Sequence, residues 1–245
     1  MPNKSPIFNI PASVVWSLGL VVSVQLYRQW LGPEADFDFV ISLAFIPARY
    51  TGLVSGIPGG EASAYYSFLT YMFVHGDWTH LVINSLWLLA FGSAVARRIG
   101  DINYVLFSIL CGLGGILTHL FIHWGDVSPV VGASAAISGQ MAGAIRFIFG
   151  AYKYGQLAES RIDPKGTRLV GVVEALKDPK IVVFLLIWLG LNVLVGVGGV
   201  SIGQSASVAW EAHIGGFITG LLLFGIMDKL HARNVSSSSE NWDED

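Results

Sequence analysis

The feature that most constrains this chain is a series of long apolar runs. Runs of about 18 or more residues lie near positions 12–29, 79–96, 103–123, 129–150, 181–200 and 206–227. A run of that length can cross the hydrocarbon core of a bilayer as an α-helix, in which the backbone polar groups are hydrogen-bonded within the segment. The pattern therefore predicts an all-α membrane protein, a six-helix bundle over residues 12–229 that lies in a lipid bilayer.

The composition agrees with a membrane location and excludes other classes of protein. Hydrophobic residues make up 53% of the chain and charged residues 13%, and this charged content is about half that of a soluble domain. The formal net charge is −3 and no basic stripe appears, so we expect no nucleic acid partner. The single cysteine, Cys111, lies in an apolar run and excludes a disulfide bond within the chain.

The distribution of charge predicts the orientation in the membrane. Basic residues cluster at positions 97–98, 146–180 and 229–233, whereas the long segment after the first run is mainly acidic. Because basic loops stay in the cytoplasm, both termini are predicted to be cytoplasmic. Residues 1–11 form the predicted cytoplasmic N-terminus, and the serine-rich, acidic residues 230–245 form a predicted disordered tail. The second, fourth and sixth runs then enter the membrane from its outer side.

Four polar residues interrupt these three runs at a similar depth. His80 and Asn84 lie one turn apart on the second run, Ser134 lies in the fourth, and His213 lies in the sixth. Each residue lies a few positions past the outer entry of its run, which places it about 3–12 Å below the surface. A polar group at this depth needs a partner or a function, because inserting an ionisable one costs about 2.5–3.5 kcal/mol. Glycines beside them would let the helix backbones approach closely.

These residue types are those that hydrolysis of an amide bond requires. A serine hydroxyl is a weak nucleophile near neutral pH, and a histidine is the usual base that takes its proton. His80, the amide of Asn84 and the backbone N–H of Ser134 are candidates to stabilise the oxyanion. Glu211 lies two residues before His213 and so points to another face of the helix. We therefore predict a Ser134–His213 dyad, without a cofactor.

Each of these residues also has a simpler explanation when it is taken alone. Small residues four apart, such as Gly132 and Ala136, are common where membrane helices pack, and Ser134 fits that pattern. His213 alone could be a buried packing residue or a proton relay. The soluble α/β-hydrolases are excluded because Ser134 is not in a Gly-x-Ser-x-Gly motif that follows a strand.

The remaining histidines are given structural roles. His119 is expected to be a packing residue and His123 an interfacial one. A metal site built from His75, His80 and His213 would have no carboxylate or cysteine to complete it, so we predict no bound metal.

Three motifs lie in or next to the second, fourth and sixth runs. The segment His75–Asn84 has spaced histidines and ends in asparagine. Residues 132–135 read Gly-Ala-Ser-Ala, and residues 212–216, Ala-His-Ile-Gly-Gly, are followed by Gly220. Together they resemble the second-helix pattern of spaced histidines, the Gly-x-Ser-Gly nucleophile motif and the sixth-helix histidine motif of the rhomboid family of intramembrane serine proteases. The resemblance covers about residues 65–227, with the motifs in the family's order.

The resemblance implies the roles of four residues. Ser134 would be the nucleophile, His213 the general base, and His80 and Asn84 would lie in the oxyanion pocket. The substrates would be transmembrane segments of other proteins, cut near their outer ends. They would enter between the second and fifth runs, under a loop from Val197 to Ser207 that acts as a lid.

The sequence departs from the family pattern at several positions. Ala135 stands where the family usually has glycine, and Ser138 stands where some members have an aromatic residue that packs on the catalytic histidine. Tyr66-Ser67 replaces a frequent Trp-Arg pair in the segment before the second run. Ala96 replaces a frequent glutamate before Arg98, so we expect another contact to hold that loop.

Two other functional classes were considered, of which the first stays open and the second is disfavoured. A non-proteolytic relative that binds or helps to move transmembrane helices is the alternative function, although such relatives typically lack the serine or the histidine. A proton-coupled transporter would need a carboxylate in mid-membrane and inverted repeats, and the sequence has neither. The six-span core makes a bacterial inner membrane the expected location, with an organelle membrane as the alternative.

Overall fold

In the computed structural model, residues 10–52, 56–156, 164–197 and 209–240 are described, and most of them are helical. The helices are α1 (Ala12–Arg28), α2 (Pro33–Leu43), α3 (Ala62–Thr70), α4 (Trp78–Ile99, with a π-helical segment at Leu88–Gly92), α5 (Asp101–Ile122), α6 (Ser134–Lys153), α7 (Val172–Lys177), α8 (Pro179–Val197) and α9 (Trp210–Glu240). Within these ranges the β contact is a single antiparallel bridge between Phe45 and Val130. The prediction of an all-α fold is confirmed.

The ends of the helices follow from local sequence signals. α2 begins with Pro33, whose fixed φ suits the first helical position, and has Glu34 and Asp36 in its first turn. The Asp77 side chain caps α4 by accepting a hydrogen bond of 2.8 Å from the backbone N–H of His80. Gly100, with a φ of 78°, separates α4 from α5.

Three of these helices are long and apolar enough to cross a membrane, namely Trp78–Ile99, Asp101–Ile122 and Trp210–Ala232. Two shorter apolar helices are Ala12–Arg28 and Pro179–Leu194. These apolar helices indicate an integral membrane protein. The number of six membrane spans stays a prediction. α6 lies at the centre of the bundle, where every residue from Ala135 to Phe147 is buried. A helix surrounded by protein needs no lipid-facing apolar surface, which explains why α6 can contain Gln140 and Arg146.

Two predicted boundaries are wrong in detail. The fourth run was expected from residue 129, but α6 begins at Ser134, and Gly132 before it has a φ of 116° that ends any regular helix there. The segment 230–240 was expected to be disordered, but α9 continues through Glu240. No proline or glycine follows Gly225 up to that point, so no residue in the sequence stops the helix. Residues 1–9 and 241–245 lie outside the described ranges.

Close contact between α6 and α9 depends on glycine. A Cβ atom at Gly216 would collide with the backbone of Ala135, and one at Gly220 would collide with the backbone of Gly139. The helix backbones therefore touch without intervening side chains, as was predicted for these glycines. This contact fixes the start of α6 against the start of α9.

The substitution Gly220→Val tests this contact. We expect it to lower the free energy of unfolding by about 3 kcal/mol, because a branched side chain must push two packed backbones apart. Gly19→Val is the matched control, since a Cβ at Gly19 meets no atom within 4 Å. Thermal unfolding in detergent measures both variants, and equal unfolding temperatures would contradict the close packing.

Arg98 supplies the contact that was expected near Ala96. Its side chain is 3% exposed, and its guanidinium donates two hydrogen bonds, of 2.7 and 3.0 Å, to the carboxylate of Asp228 on α9. It also donates to the carbonyl oxygens of Pro164 and Thr167. Arg98 thus joins α4, α9 and the segment that contains Pro164 and Thr167, at the end of the bundle away from Ser134. These contacts hold the turn at the end of α4, where Ala96 replaces a glutamate that is frequent in the family.

Arg49 anchors the segment between α2 and α3. Its Nη2 donates to the carbonyl oxygens of Ile41 and Pro58 at 2.7 and 2.9 Å. The Tyr50 hydroxyl donates to the carbonyl oxygen of Ala64 at 2.6 Å. These contacts hold the segment between α1 and α4 in place, although Tyr66-Ser67 replaces the Trp-Arg pair that is frequent in the family.

Candidate active site

Ser134 and His213 meet at one end of the bundle. Ser134 is the first residue of α6, and His213 lies in the first turn of α9. The Ser134 Oγ lies 2.7 Å from the His213 Nε2, which is a hydrogen-bond distance. The two side chains can reach each other because the glycine contact brings the two helices together just below them.

The other ring nitrogen of His213 contacts a residue that the sequence analysis did not select. The Nδ1 atom lies 2.5 Å from the Oδ1 of Asn192 on α8, whose Nδ2 donates to the carbonyl oxygen of Trp188 at 2.8 Å. With the amide nitrogen so engaged, the Asn192 oxygen is an acceptor and the His213 Nδ1 must carry the proton. The Nε2 atom is then unprotonated and can accept the proton of the Ser134 hydroxyl.

The sequence did contain a signal for Asn192. It is the single amide side chain between Ile181 and Val197, in an otherwise apolar run, and a polar residue in such a run needs a partner. The sequence alone does not show that His213 is the partner of Asn192. The arrangement is a serine and a histidine with a neutral third member.

Glu211 does not take the place of that third member. Its carboxylate lies 2.8 Å from the Nε2 of His123 and is directed away from His213. Among the described residues, no carboxylate oxygen is hydrogen-bonded to the His213 ring. The expectation that Glu211 lies on another face of the helix agrees with this geometry.

His80 and Asn84 border the turn that precedes the serine. A Cβ atom at Gly132 would lie 2.7 Å from the His80 Nε2 and 3.4 Å from the Asn84 Nδ2. Gly132 therefore has no side chain for two reasons, its positive φ and this close approach. All four predicted site residues thus lie at the same end of the bundle, on α4, α6 and α9.

The Asn84 amide is poised to donate. Asn84 is 6% exposed, and its Nδ2 has no hydrogen-bond partner within the described ranges. A buried donor without an acceptor costs about 1–3 kcal/mol, and a catalytic role is one reason for a protein to keep such a group. The backbone N–H of Ser134 is a second donor, because the first N–H groups of a helix have no acceptor within that helix.

His75 is buried and packs its ring against the ring of His80. It is 1% exposed, its ring lies edge-on to the His80 ring with centroids 5.1 Å apart, and its carbonyl oxygen accepts from Arg28. Burial, followed by the nearby His80, lowers the pKa of His75 to about 3. His75 is therefore neutral at physiological pH and adds no positive charge beside His80.

The comparison with known proteins covers the part of the chain that holds this site. A family model described as a Rhomboid domain matches residues 62–229, more than half of the chain. The chain is 32% identical over 159 residues to the RHOMBOID-like protein 4 of Arabidopsis thaliana. That match covers 64% of this chain and 33% of the plant protein, so the chain spans about a third of the length of this relative. The range matched by the family model, residues 62–229, includes His80, Asn84, Ser134 and His213.

Proposed function

This chain belongs to the rhomboid family, and we propose that it is an intramembrane serine endopeptidase with Ser134 as nucleophile and His213 as general base. The observation that carries the proposal is the 2.7 Å distance between the Ser134 Oγ and the His213 Nε2. A serine that serves only for helix packing would not need an imidazole nitrogen aligned on its hydroxyl. The family resemblance of the three motifs adds to this geometry.

The proposed reaction has two covalent steps. The Ser134 Oγ attacks the scissile carbonyl carbon while the His213 Nε2 takes the hydroxyl proton. Breakdown of the tetrahedral intermediate breaks the C–N bond, and His213 returns that proton to the leaving amine. Water, deprotonated by His213, then attacks the acyl carbon, the bond from that carbon to the Ser134 Oγ breaks, and His213 returns the proton to Ser134 as the carboxylic acid product leaves. Asn192 holds the His213 ring with its Nε2 toward the serine throughout.

The charge on the tetrahedral intermediate falls on the former carbonyl oxygen. Asn84 Nδ2, His80 and the backbone N–H of Ser134 are the proposed donors to that oxyanion. The proposal is supported by the close approach of the His80 and Asn84 side chains to Gly132, and by the Asn84 Nδ2, which has no hydrogen-bond partner among the described residues. In a site with little water, such preformed donors stabilise charge more strongly than water does.

The proposed substrates are transmembrane segments of other proteins. In the proposed six-span topology with both termini in the cytoplasm, the Ser134 end of the bundle faces outward. A helical substrate has its carbonyl groups hydrogen-bonded, so it must unwind before attack, and small or helix-breaking residues lower that cost.

The proposed entry lies between α4 and α8. Each of these helices has exposed apolar side chains, such as Leu86 and Leu186, which is typical of a surface that faces lipid or a membrane-embedded substrate. Residues 198–207, which make up nearly all of the predicted lid, lie outside the described residues.

The proposed location is a bacterial inner membrane. Fractionation of the cells that naturally make the protein tests this location. Recovery of the protein in an inner-membrane fraction would support it, and recovery in an organelle fraction would contradict it.

Labelling with a fluorophosphonate probe tests the proposed activity directly. Such a probe forms a stable adduct only with an activated serine, so we expect the parent chain to be labelled and Ser134→Ala to remain unlabelled. A parent chain that cleaves no transmembrane substrate and takes up no probe would favour the alternative, a non-proteolytic protein that binds transmembrane helices.

The substitution Asn192→Ala tests the role of the amide as a positioning residue. We expect kcat to fall about tenfold, because a lost hydrogen bond of about 1.4 kcal/mol leaves the imidazole free to rotate or to adopt its other tautomer. KM should change little, because Asn192 contacts the histidine and not the substrate. Steady-state cleavage of a membrane substrate measures both constants.

Asn103→Ala is the matched control for this experiment. Like Asn192, Asn103 donates from its Nδ2 to the backbone carbonyl four residues earlier, at 3.0 Å from Ile99, but it does not contact the site. Equal kcat values for the two variants would remove Asn192 from the positioning role.

A further inference from the structure

Three side chains that the proposed reaction does not use form a second cluster at the same end of the bundle. His119 and His123 lie one turn apart at the end of α5, and Glu211 is the second residue of α9. The Glu211 Oε1 lies 2.8 Å from the His123 Nε2, and its Oε2 lies 3.7 Å from the His119 Nδ1. The two imidazole rings stack with their centroids 4.6 Å apart. One carboxylate therefore faces two imidazoles.

The buried part of this cluster has polar atoms that are not hydrogen-bonded within the described residues. His119 is 5% exposed and Glu211 is 6% exposed. Neither ring nitrogen of His119 has a hydrogen-bond partner among the described residues, although both are buried. A buried imidazole that has a carboxylate 3.7 Å away but no hydrogen bond among the described residues is costly unless another group completes the site.

The donor set identifies the class of that group. Two imidazole nitrogens and one carboxylate oxygen form a common ligand set of zinc, which binds such atoms at about 2.0–2.2 Å and often keeps a fourth position for water. Calcium and magnesium prefer sites made only of oxygen atoms. One ligand atom from each of the three residues lies within 4.8 Å of the others, so small side-chain rotations would close them around one ion.

We propose that His119, His123 and Glu211 bind one divalent cation of the zinc class. Asp126 adds support from outside the cluster, because its Oδ2 lies 3.9 Å from the His123 Nδ1. A carboxylate behind a metal-binding histidine commonly fixes the ring and its tautomer. The side chain of His123 is 34% exposed, which gives an ion a path from solvent. This proposal replaces the prediction that the chain binds no metal.

The cation would link the end of α5 to the start of α9. Glu211 lies two residues before His213, on the opposite face, and the intervening Ala212 packs its backbone on α5 at Gly115. A metal bound here would hold the first turn of α9, from which His213 projects. The proposal concerns binding and does not depend on proteolysis.

The experiment uses the full chain in detergent, freed of any affinity tag and stripped with a chelator. Titration with Co²⁺ should give the intense visible absorption of a four-coordinate ion, saturating at one equivalent, and Zn²⁺ should abolish it. His123→Ala and Glu211→Gln should each weaken Co²⁺ binding by about 100-fold or more, because even supporting residues of a metal site contribute about 10- to 100-fold. Zn²⁺ should also raise the unfolding temperature of the parent but not of these variants.

Two variants serve as controls. His231→Asn removes a histidine far along α9, and His213→Ala removes the histidine beside Ser134, and both should bind Co²⁺ as the parent does. Should Glu211→Gln fail to fold, His123→Ala decides, because His123 is partly exposed. The proposal is overturned if the parent binds no saturating Co²⁺, if His123→Ala binds it unchanged, or if His213→Ala abolishes binding. Since no substrate is present, these results are independent of the protease proposal.

Discussion

Ser134→Ala and His213→Ala are each expected to abolish cleavage of a transmembrane substrate. The first removes the atom that attacks, and the second removes the imidazole whose Nε2 lies 2.7 Å from that atom and takes its proton. Loss of either member of such a pair lowers kcat by about 10⁶-fold, down to what binding and the oxyanion donors achieve alone. The helix bundle should persist in both variants, because neither side chain contributes to the contact between Gly216 and the backbone of Ala135.

The measurement is cleavage of a model substrate reconstituted with the protein in liposomes. Ser138→Ala is the matched control for the serine, because Ser138 lies one turn later on α6 and its hydroxyl donates to the Ser134 carbonyl oxygen at 2.8 Å. His231→Ala is the control for the histidine. Both controls should cleave at close to the parent rate. Cleavage by Ser134→Ala or His213→Ala at the parent rate would contradict the assignment.

Much of the helical framework could be predicted because the length of an apolar run can be read directly from the sequence of that segment. The apolar runs near 12–29, 79–96 and 103–123 correspond within a few residues to α1, α4 and α5. The start of α6 was misplaced because Val130 and Val131 extend the apolar run into the turn, and hydropathy does not distinguish a buried turn from a helix. The end of α9 was misplaced because its composition resembles a disordered tail while nothing in it breaks a helix.

The polar contacts between distant segments could not be predicted in the same way. The Arg98 contacts with Asp228, and those of His213 with Asn192, join residues far apart in sequence, and a single sequence does not show which polar groups become partners. The cluster of His119, His123 and Glu211 was missed for the same reason. Each of these residues had a plausible separate role, and only the packing of α9 against α5 brings them together.

Asn84→Ala is expected to reduce kcat by about 10²- to 10³-fold with little change in KM, the usual effect of removing one oxyanion donor. The same substitution should leave the unfolding temperature unchanged or raise it, because it removes a buried Nδ2 that has no hydrogen-bond partner in the described part of the chain. Loss of activity without loss of stability distinguishes a group arranged for a transition state from one that holds the fold. Steady-state kinetics and thermal unfolding of the same preparation supply both quantities. An unchanged kcat, or a loss of activity matched by a loss of stability, would show that Asn84 packs beside Gly132 without acting on the oxyanion.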